Sequence, residues 1–586
     1  MLRMGEPPRD QAQEQEEEAL PLPSFWALAW RRLRRCLPVG AWQEAQEMVK
    51  IGAPVFVAQL LGFLISVVSS VFCGHLGKAE LDAVTLAVSV VNVIGISIGT
   101  GLASVCDTLM SQTYGSKNVK RVGTILQRGI LILLLFCFPC WAIFLNAERI
   151  LLLCGQDPEV SRLTQVYVMI FIPALPAAFL YQLQTRYLQS QAILLPQVIT
   201  GVVANVLNVV MNAVFLYAFQ LGVVGSAWAN TLSQNLQALL LFLYVWWKKI
   251  HKETWGGWTW DCLQDWGSFM RLALPSMLMM CIEWWTFEIG SFLSGMISVV
   301  ELGAQSIIYE LATIAYLLPQ GMSVACSVRV GNALGAGDAE QAKRSCITGL
   351  LCTGVFAVVF SALLAAVRNV VAYIFTSDRE IVALVSKVMM IFAPFHLFDA
   401  IAATCGGVLR GAGKQKIGAI SNAIGYYAVG LPIGITLMFA YRLGVMGLWT
   451  GLIVCISLQA GSFLVVVLRT DWKKAAEEAQ IRAGLQTGRR KDGADEAAAD
   501  KPVPLAYLAT ETGVSNGVAF ISLGQESSAR PEHQLLPPED PPAVVISPRT
   551  DALTGKELVV RRGLALALAV SVLIFGILLR LLLNKG

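Results

Sequence analysis

The sequence predicts an all-α polytopic membrane protein: two six-helix bundles related by a pseudo-two-fold axis along the membrane normal, plus a carboxy-terminal thirteenth helix. Three observations carry this. Of the 586 residues 55% are hydrophobic and only 14% charged; a soluble chain this long would divide into domains, each with a charged exterior, so lipid must solvate much of this one. Apolar runs of about 20 residues, enough to cross a hydrocarbon core about 30 Å thick, recur from Ile51 onward. The first twelve runs are also two copies of one pattern.

Taken in order, residues 1–50 form a cytoplasmic amino-terminal segment. No cleavable signal peptide is read there, because the first apolar run lies behind an acidic, Pro-containing stretch. Arg31, Arg32, Arg34 and Arg35 beside Trp26 and Trp30 make Trp26–Cys36 either an amphipathic helix at the membrane surface or a basic flank that orients the first span. The first bundle occupies 51–247, with spans beginning near Ile51, Ala83, Val122, Leu163, Leu195 and Leu221. A cytoplasmic linker, 248–271, precedes the second bundle, 272–469, whose spans begin near Leu272, Leu302, Cys346, Leu384, Ile417 and Leu443. Residues 470–560 are charged and rich in Ala, Pro and Ser, too polar to fold, and read as a disordered cytoplasmic linker. Residues 561–586 hold the lone helix Gly563–Leu583, which carries no acid and is expected to be dispensable for the chemistry.

Basic residues set the sidedness. Lys117, Lys120, Arg121, Arg186, Lys248, Lys249, Lys252, Arg329, Lys343, Arg344, Arg410, Lys414 and Lys416 fall in alternate loops, on the side of Arg31–Arg35, and the opposite loops hold few. The amino terminus is therefore read as cytoplasmic, and the odd thirteenth span puts Gly586 outside.

The duplication rests on separate landmarks with one shift. Pro54 and Pro275, Glu80-Leu-Asp-Ala and Glu301-Leu-Gly-Ala, and Pro173 and Pro394 stand 221 residues apart; Gly115 and Gly335 stand 220 apart, and Leu221-Gly-Val-Val-Gly and Leu443-Gly-Val-Met-Gly 222. Six spans per copy give both halves the same topology, as in transporters that bind their cargo between two bundles and rock one against the other.

The chemistry lies where that symmetry breaks. Leu272–Val300 carries only Glu283 and Glu288, beside Trp284 and Trp285; Leu302–Val328 carries only Glu310; Val388–Leu409 carries only Asp399, with His396 one turn before it. No Lys or Arg is read deep in any span. An ionisable group inside the bilayer costs at least ~2.5–3.5 kcal/mol and marks function by default, so acids without resident bases imply a cation, a proton, or both in turn. The positions 221 earlier are Gly62, Val67, Ser89 and Ala178, none charged, which puts the site in the second half. At ~1.5 Å per residue, Glu283, Glu310 and Asp399 lie ~18, ~13 and ~18 Å inside their spans and are expected to meet near the midplane, whereas Glu288 lies ~140° round its helix from Glu283. A carboxylate that takes a proton loses its attraction for an organic cation, so the two compete, which is the physical basis of antiport.

Trp284, Trp285, Tyr309 and Tyr316 offer either cation–π faces, at ~0.5–2 kcal/mol each, or ordinary helix packing. The acids themselves have the plainer reading of buried braces between helices. His396 shares a face with Asp399 and either bonds it or is a satisfied core histidine. Asn205, Asn208 and Asn212 are explained by hydrogen bonds between helices. The Gly-rich stretch from Val330 to Asp338 lacks Gly-Lys-Ser/Thr and reads as a cytoplasmic turn into a short surface helix, Ala339–Arg344.

Four His and 13 Cys, without ligand spacing, leave no metal centre. A net charge of +4 gives no case for nucleic acid. No nucleophile–base set suggests an enzyme. Protons are the expected coupling ion, with no other cofactor; the expected partners are small organic cations and membrane lipid, and the expected state is a monomer.

Cys73-Gly-His-Leu-Gly, Tyr114-Gly-Ser-Lys-Asn, Glu283-Trp-Trp-Thr-Phe-Glu, Arg329-Val-Gly-Asn-Ala-Leu-Gly-Ala-Gly-Asp and Gly407-Val-Leu-Arg-Gly-Ala-Gly-Lys-Gln resemble the multidrug and toxin extrusion family, in its vertebrate proton/organic-cation antiporter branch. The resemblance spans about Ile51 to Arg469 and the last helix. It implies efflux of organic cations in exchange for protons at an apical plasma membrane, with functional acids at Glu283, Glu288, Glu310 and Asp399. The branch usually has Glu where this chain has Asp399. Sodium coupling, as in some bacterial relatives, is the alternative. A lipid-carrier flippase of similar shape would line its cavity with Arg or Lys.

Overall fold

The computed structural model describes residues 40–74, 77–485 and 553–583. The basic segment Trp26–Cys36 and most of the linker read at 470–560 lie outside the described residues. Among these residues all regular structure is helical. The first half comprises α1 (Ala41–Gly74), α2 (Glu80–Gly115), α3 (Val119–Phe144), the short α4 (Ala147–Leu153), α5 (Pro158–Phe171), α6 (Ala174–Ser190), α7 (Leu195–Ala218) and α8 (Gly222–Trp247). The second comprises α9 (Trp266–Gly295), α10 (Val299–Gly335), α11 (Ala339–Val367), α12 (Arg379–Ala412), α13 (Gln415–Ala440) and α14 (Val445–Leu468). Then follow α15 (Trp472–Arg482) and α16 (Gly555–Leu583).

Ten of these helices, or eleven with α5 and α6 counted as one span bent by 57°, are long and apolar enough to cross a membrane. The remaining two expected spans, α8 and α9, have 26 and 30 residues; Asn230, Gln234 and Asn235 dilute the apolarity of one, and Glu283 and Glu288 that of the other. Exposed Val202, Val206 and Val210 on α7 are the lipid-facing counterpart of a soluble protein's charged surface.

The helix starts follow local chemistry. Asp157, Ser298, Asp338, Asp378 and Asp471 each accept a bond from a backbone N–H of the first turn that follows, which satisfies donors the helix leaves free. Asp338 corrects one expectation. Gly337, with φ of +82°, turns the chain and Asp338 caps a continuous 29-residue α11, so Ala339–Arg344 is the first turn and a half of a span.

The halves exchange the beginnings of their first helices. Met48, Ile51 and Val55 of α1 are buried in a core built from second-half residues such as Val324, Cys405 and Phe463. Trp266, Phe269 and Ala273 of α9 are buried in the first-half core with Val105, Leu183 and Leu241. Further along α9, Ile282 joins the second-half core with Phe392 and Trp449. The helix carrying Glu283 is thus rooted in one half and runs into the other.

Candidate functional site

Glu283 and Asp399 line one cavity built mostly from the second half, with Ser276, Tyr316, Arg410 and Gln459 among its other walls and Ser104 of α2 the one contribution from the first half. Close packing of α10 against α12 makes this possible: Gly407 and Gly411 lie against the backbone of Ser323 and Ser327, where a Cβ would overlap. Asn422 donates to the Met279 carbonyl at 2.9 Å and accepts from Gln459 at 2.7 Å, tying α13 and α14 to α9 beside the cavity. Ser276 Oγ and Gln459 Oε1 are buried without a protein partner, which suits a polar guest, since buried polar atoms ordinarily find one. The cavity measures about 20 Å³, room for a water and too little for an organic cation.

Glu288 and Glu310 do not line this cavity. Glu288 accepts from Ser89 Oγ of the first half at 2.5 Å and from Tyr309 at 3.3 Å, and Glu310 is exposed. The expectation that Glu283, Glu310 and Asp399 meet at one level is therefore corrected. Rise along a helix sets depth, but direction round it decides what meets: Tyr316 stands on the cavity wall, and Glu310, six residues earlier, points ~120° away.

Of the candidate cavity residues, only Tyr316 stands on its wall. Tyr309 stacks on Phe287 with ring centroids 5.7 Å apart. Trp284 is half-buried off the cavity. Trp285 donates to the Val93 carbonyl at 3.0 Å, within the π-helical turn Asn92–Ile96, where the regular bonding pattern is broken. His396 is buried against Phe360, 5.1 Å between centroids, with Nε2 unpartnered; it makes no bond to Asp399.

Sequence reasoning missed the basic side of the site. Arg410 and Arg186 read as loop residues, and Arg329 likewise; all three lie within helices. Arg329 pairs with Glu44 of α1. Arg186 and Arg410, one from each half, lie 3.5 and 3.6 Å from Asp107 Oδ2 on α2. Asp107 is 2% exposed, so a buried acid does exist in the first half, and a base does stand in the acid cavity. The signal was present in the sequence only as charge near the end of an apolar run, which is also how a loop begins.

A family model described as MatE matches the chain twice, over residues 54–214 and 275–436, with starts 221 residues apart, the shift that links Pro54 to Pro275. Multidrug and toxin extrusion protein 2 of Mus musculus is 62% identical over 556 residues, covering 94% of this chain and 95% of that protein. Multidrug and toxin extrusion protein 1 of Homo sapiens is 55% identical over 548 residues, covering 93% and 95%. The crystal structure of the eukaryotic MATE transporter AtDTX14 is similar with a TM-score of 0.74 at 32% identity, covering 76% of this chain and 100% of that one. A duplicated helical membrane fold, a cavity lined by Glu283 and Asp399 and near-full-length identity to these proteins lead to one conclusion: the chain belongs to the multidrug and toxin extrusion family of membrane efflux transporters.

Proposed function

We propose that this transporter exports small organic cations in electroneutral exchange for protons across the plasma membrane, at the apical face of epithelial cells, as a monomer with its amino terminus in the cytoplasm. The observation that carries the reading is the pairing of Glu283 and Asp399 in one cavity too small for an organic cation. Two carboxyls that share a desolvated space do not both ionise without a compensating charge. A proton fits the cavity as it stands; an organic cation requires it to widen, so only the cation-bound form needs movement of α9 or α12. Competition for the same charge then makes the fluxes obligatorily opposed. Glu288, held between Ser89 and Tyr309, serves as a second acid on the path between the halves.

The test is uptake of labelled tetraethylammonium into proteoliposomes under an imposed pH gradient, at clamped voltage, with a sodium gradient as the comparison. Uptake that follows the pH gradient and reverses with it is the expected result. Moving one net charge through 100 mV adds ~2.3 kcal/mol of driving force, so a voltage effect of that size with no pH effect would exclude proton exchange. Dependence on sodium alone would transfer the coupling to that ion. Glu283→Gln should abolish uptake while the protein remains folded and inserted.

A further inference from the structure

Arg410 stands in two electrostatic settings at once. It lines the cavity of Glu283 and Asp399, and its Nε lies 3.6 Å from Asp107 across the boundary between the halves. Nη2 donates to Ser323 Oγ at 2.8 Å, and that hydroxyl donates in turn to the Ala403 carbonyl. Neither carboxylate oxygen of Asp107 makes a hydrogen bond; two guanidinium groups hold it by charge at 3.5 and 3.6 Å. A pairing without fixed bonds is easily exchanged for another.

The charges also leave a surplus. Arg186 and Arg410 bring two positive charges to the single carboxylate of Asp107, and of the two only Arg410 lines the cavity, where a carboxylate can meet the excess charge. A single acid then remains for a mobile proton or cation. The duplication marks Arg410 as belonging to this site: Gln189 stands 221 residues earlier, uncharged, just as uncharged residues stand opposite Glu283 and Asp399.

We propose that Arg410 is the resident counter-cation of the Glu283/Asp399 cavity, shared with Asp107, so that a cation or proton arriving at the acid pair shifts Arg410 toward Asp107 and registers occupancy across the boundary between the halves. Resting on the exchange reading above, this makes Arg410 a positioning residue whose charge sets how many mobile charges the cavity takes.

The variants R410Q, R410K, D107N and D107N/R410Q of the full chain, purified in nanodiscs, test it by direct binding of tetraethylammonium at fixed pH. Removing the internal competitor should tighten binding about tenfold in R410Q. Freeing Arg410 from Asp107 should weaken it about tenfold in D107N, the order expected for one nearby charge in a poorly solvated site. R410K should stay within about threefold of wild type, and the double variant should follow R410Q, because Asp107 acts only through Arg410. Shifts of R410Q and D107N in the same direction, or none in either, would overturn the proposal, since a purely structural ion pair moves both alike. If R410Q does not yield folded protein, folded D107N decides: weaker binding supports the assignment and unchanged binding overturns it. Wild-type protein that binds no tetraethylammonium counts against the exchange reading itself, which keeps the two failures apart.

Discussion

Gly115 and Gly335 are reciprocal: each lies against the helix that carries the other, so that a Cβ on Gly115 would overlap the Asn332 carbonyl and one on Gly335 the Gln112 carbonyl. Gln112 and Asn332 are themselves 220 residues apart, as the two glycines are. The internal duplication is thus expressed as a physical contact, with the ends of α2 and α10 crossing at backbone distance. The contact lies on the side where Lys117, Lys120, Lys343 and Arg344 cluster, and it holds the halves together there.

Gly335→Ala should destabilise the protein by about 1–3 kcal/mol, because the added carbon meets backbone rather than a side chain that can turn away. Gly62→Ala is the control: nothing lies within 4 Å of a Cβ at Gly62, so it should be neutral or stabilising by up to about 1 kcal/mol through helix propensity. Thermal unfolding midpoints of the two purified variants make the comparison. Equal midpoints would mean the crossing is slack.

Asp399 should tolerate lengthening better than neutralisation. Asp399→Glu keeps the charge and adds one methylene to a residue that is 9% exposed in a narrow cavity, so uptake should fall by no more than about fivefold. Asp399→Asn removes the charge and should reduce it at least about a hundredfold, the order of 3 kcal/mol for a lost buried charge interaction. Initial uptake rates under a pH gradient, normalised to inserted protein, distinguish these. Equal loss in both would assign Asp399 to packing.

Ser89→Ala should be informative because Ser89 belongs to the half that does not carry Glu288. Its hydroxyl gives Glu288 a hydrogen bond at 2.5 Å, and a bond to a charged acceptor contributes about 1.5–3 kcal/mol. If that bond holds the halves together, Ser89→Ala should speed exchange between accessible states or weaken thermal stability, whereas Tyr309→Phe, which removes a 3.3 Å bond within the second half, should do less. A larger effect of Tyr309→Phe would place Glu288 with the second half alone.

The membrane class, the number of spans and the duplication were legible because each is written along the chain as length, apolarity and spacing. The site was legible in part. Glu283 and Asp399 could be picked out because a carboxylate in an apolar run is costly wherever the helix points, whereas Glu310 and His396 could not be assigned to or from the cavity, since that depends on rotation about α10 and α12. Asp107, Arg186 and Arg410 were hidden for a different reason. They lie near span ends, where charge is ordinary, and only tertiary packing brings the two arginines within 3.6 Å of Asp107. The amphipathic α15 was likewise indistinguishable from the start of a polar linker.

That helix sets where the chain can be cut. Arg482 donates to Gln112 Oε1 of the first half at 3.0 Å and to the Ala412 carbonyl of the second at 3.1 Å. Arg121 of α3 and Asn118, which precedes it, donate to the carbonyls of Arg482 and Ala483, each at 3.2 Å, while Ala475, Ala476 and Ala479 bury the apolar face of α15. By contrast α16 is held to the body between α3 and α4, through Asn146 to the Gly576 carbonyl at 3.0 Å, and at Trp266, whose ring lies 4.3 Å from the Arg562 guanidinium; neither contact touches the acid cavity. Truncation after Leu485 should therefore leave proton-driven uptake within about twofold of the full chain in proteoliposomes. Truncation after Arg469, which removes no membrane span beyond the first cut but deletes α15, should lower it at least about tenfold, because two to four hydrogen bonds bridging the halves are lost at about 0.5–1.5 kcal/mol each. Arg482→Ala in the full chain should reproduce much of that loss. Equal activity of the two truncations would show that α15 caps the crossing of α2 and α10 without contributing to it.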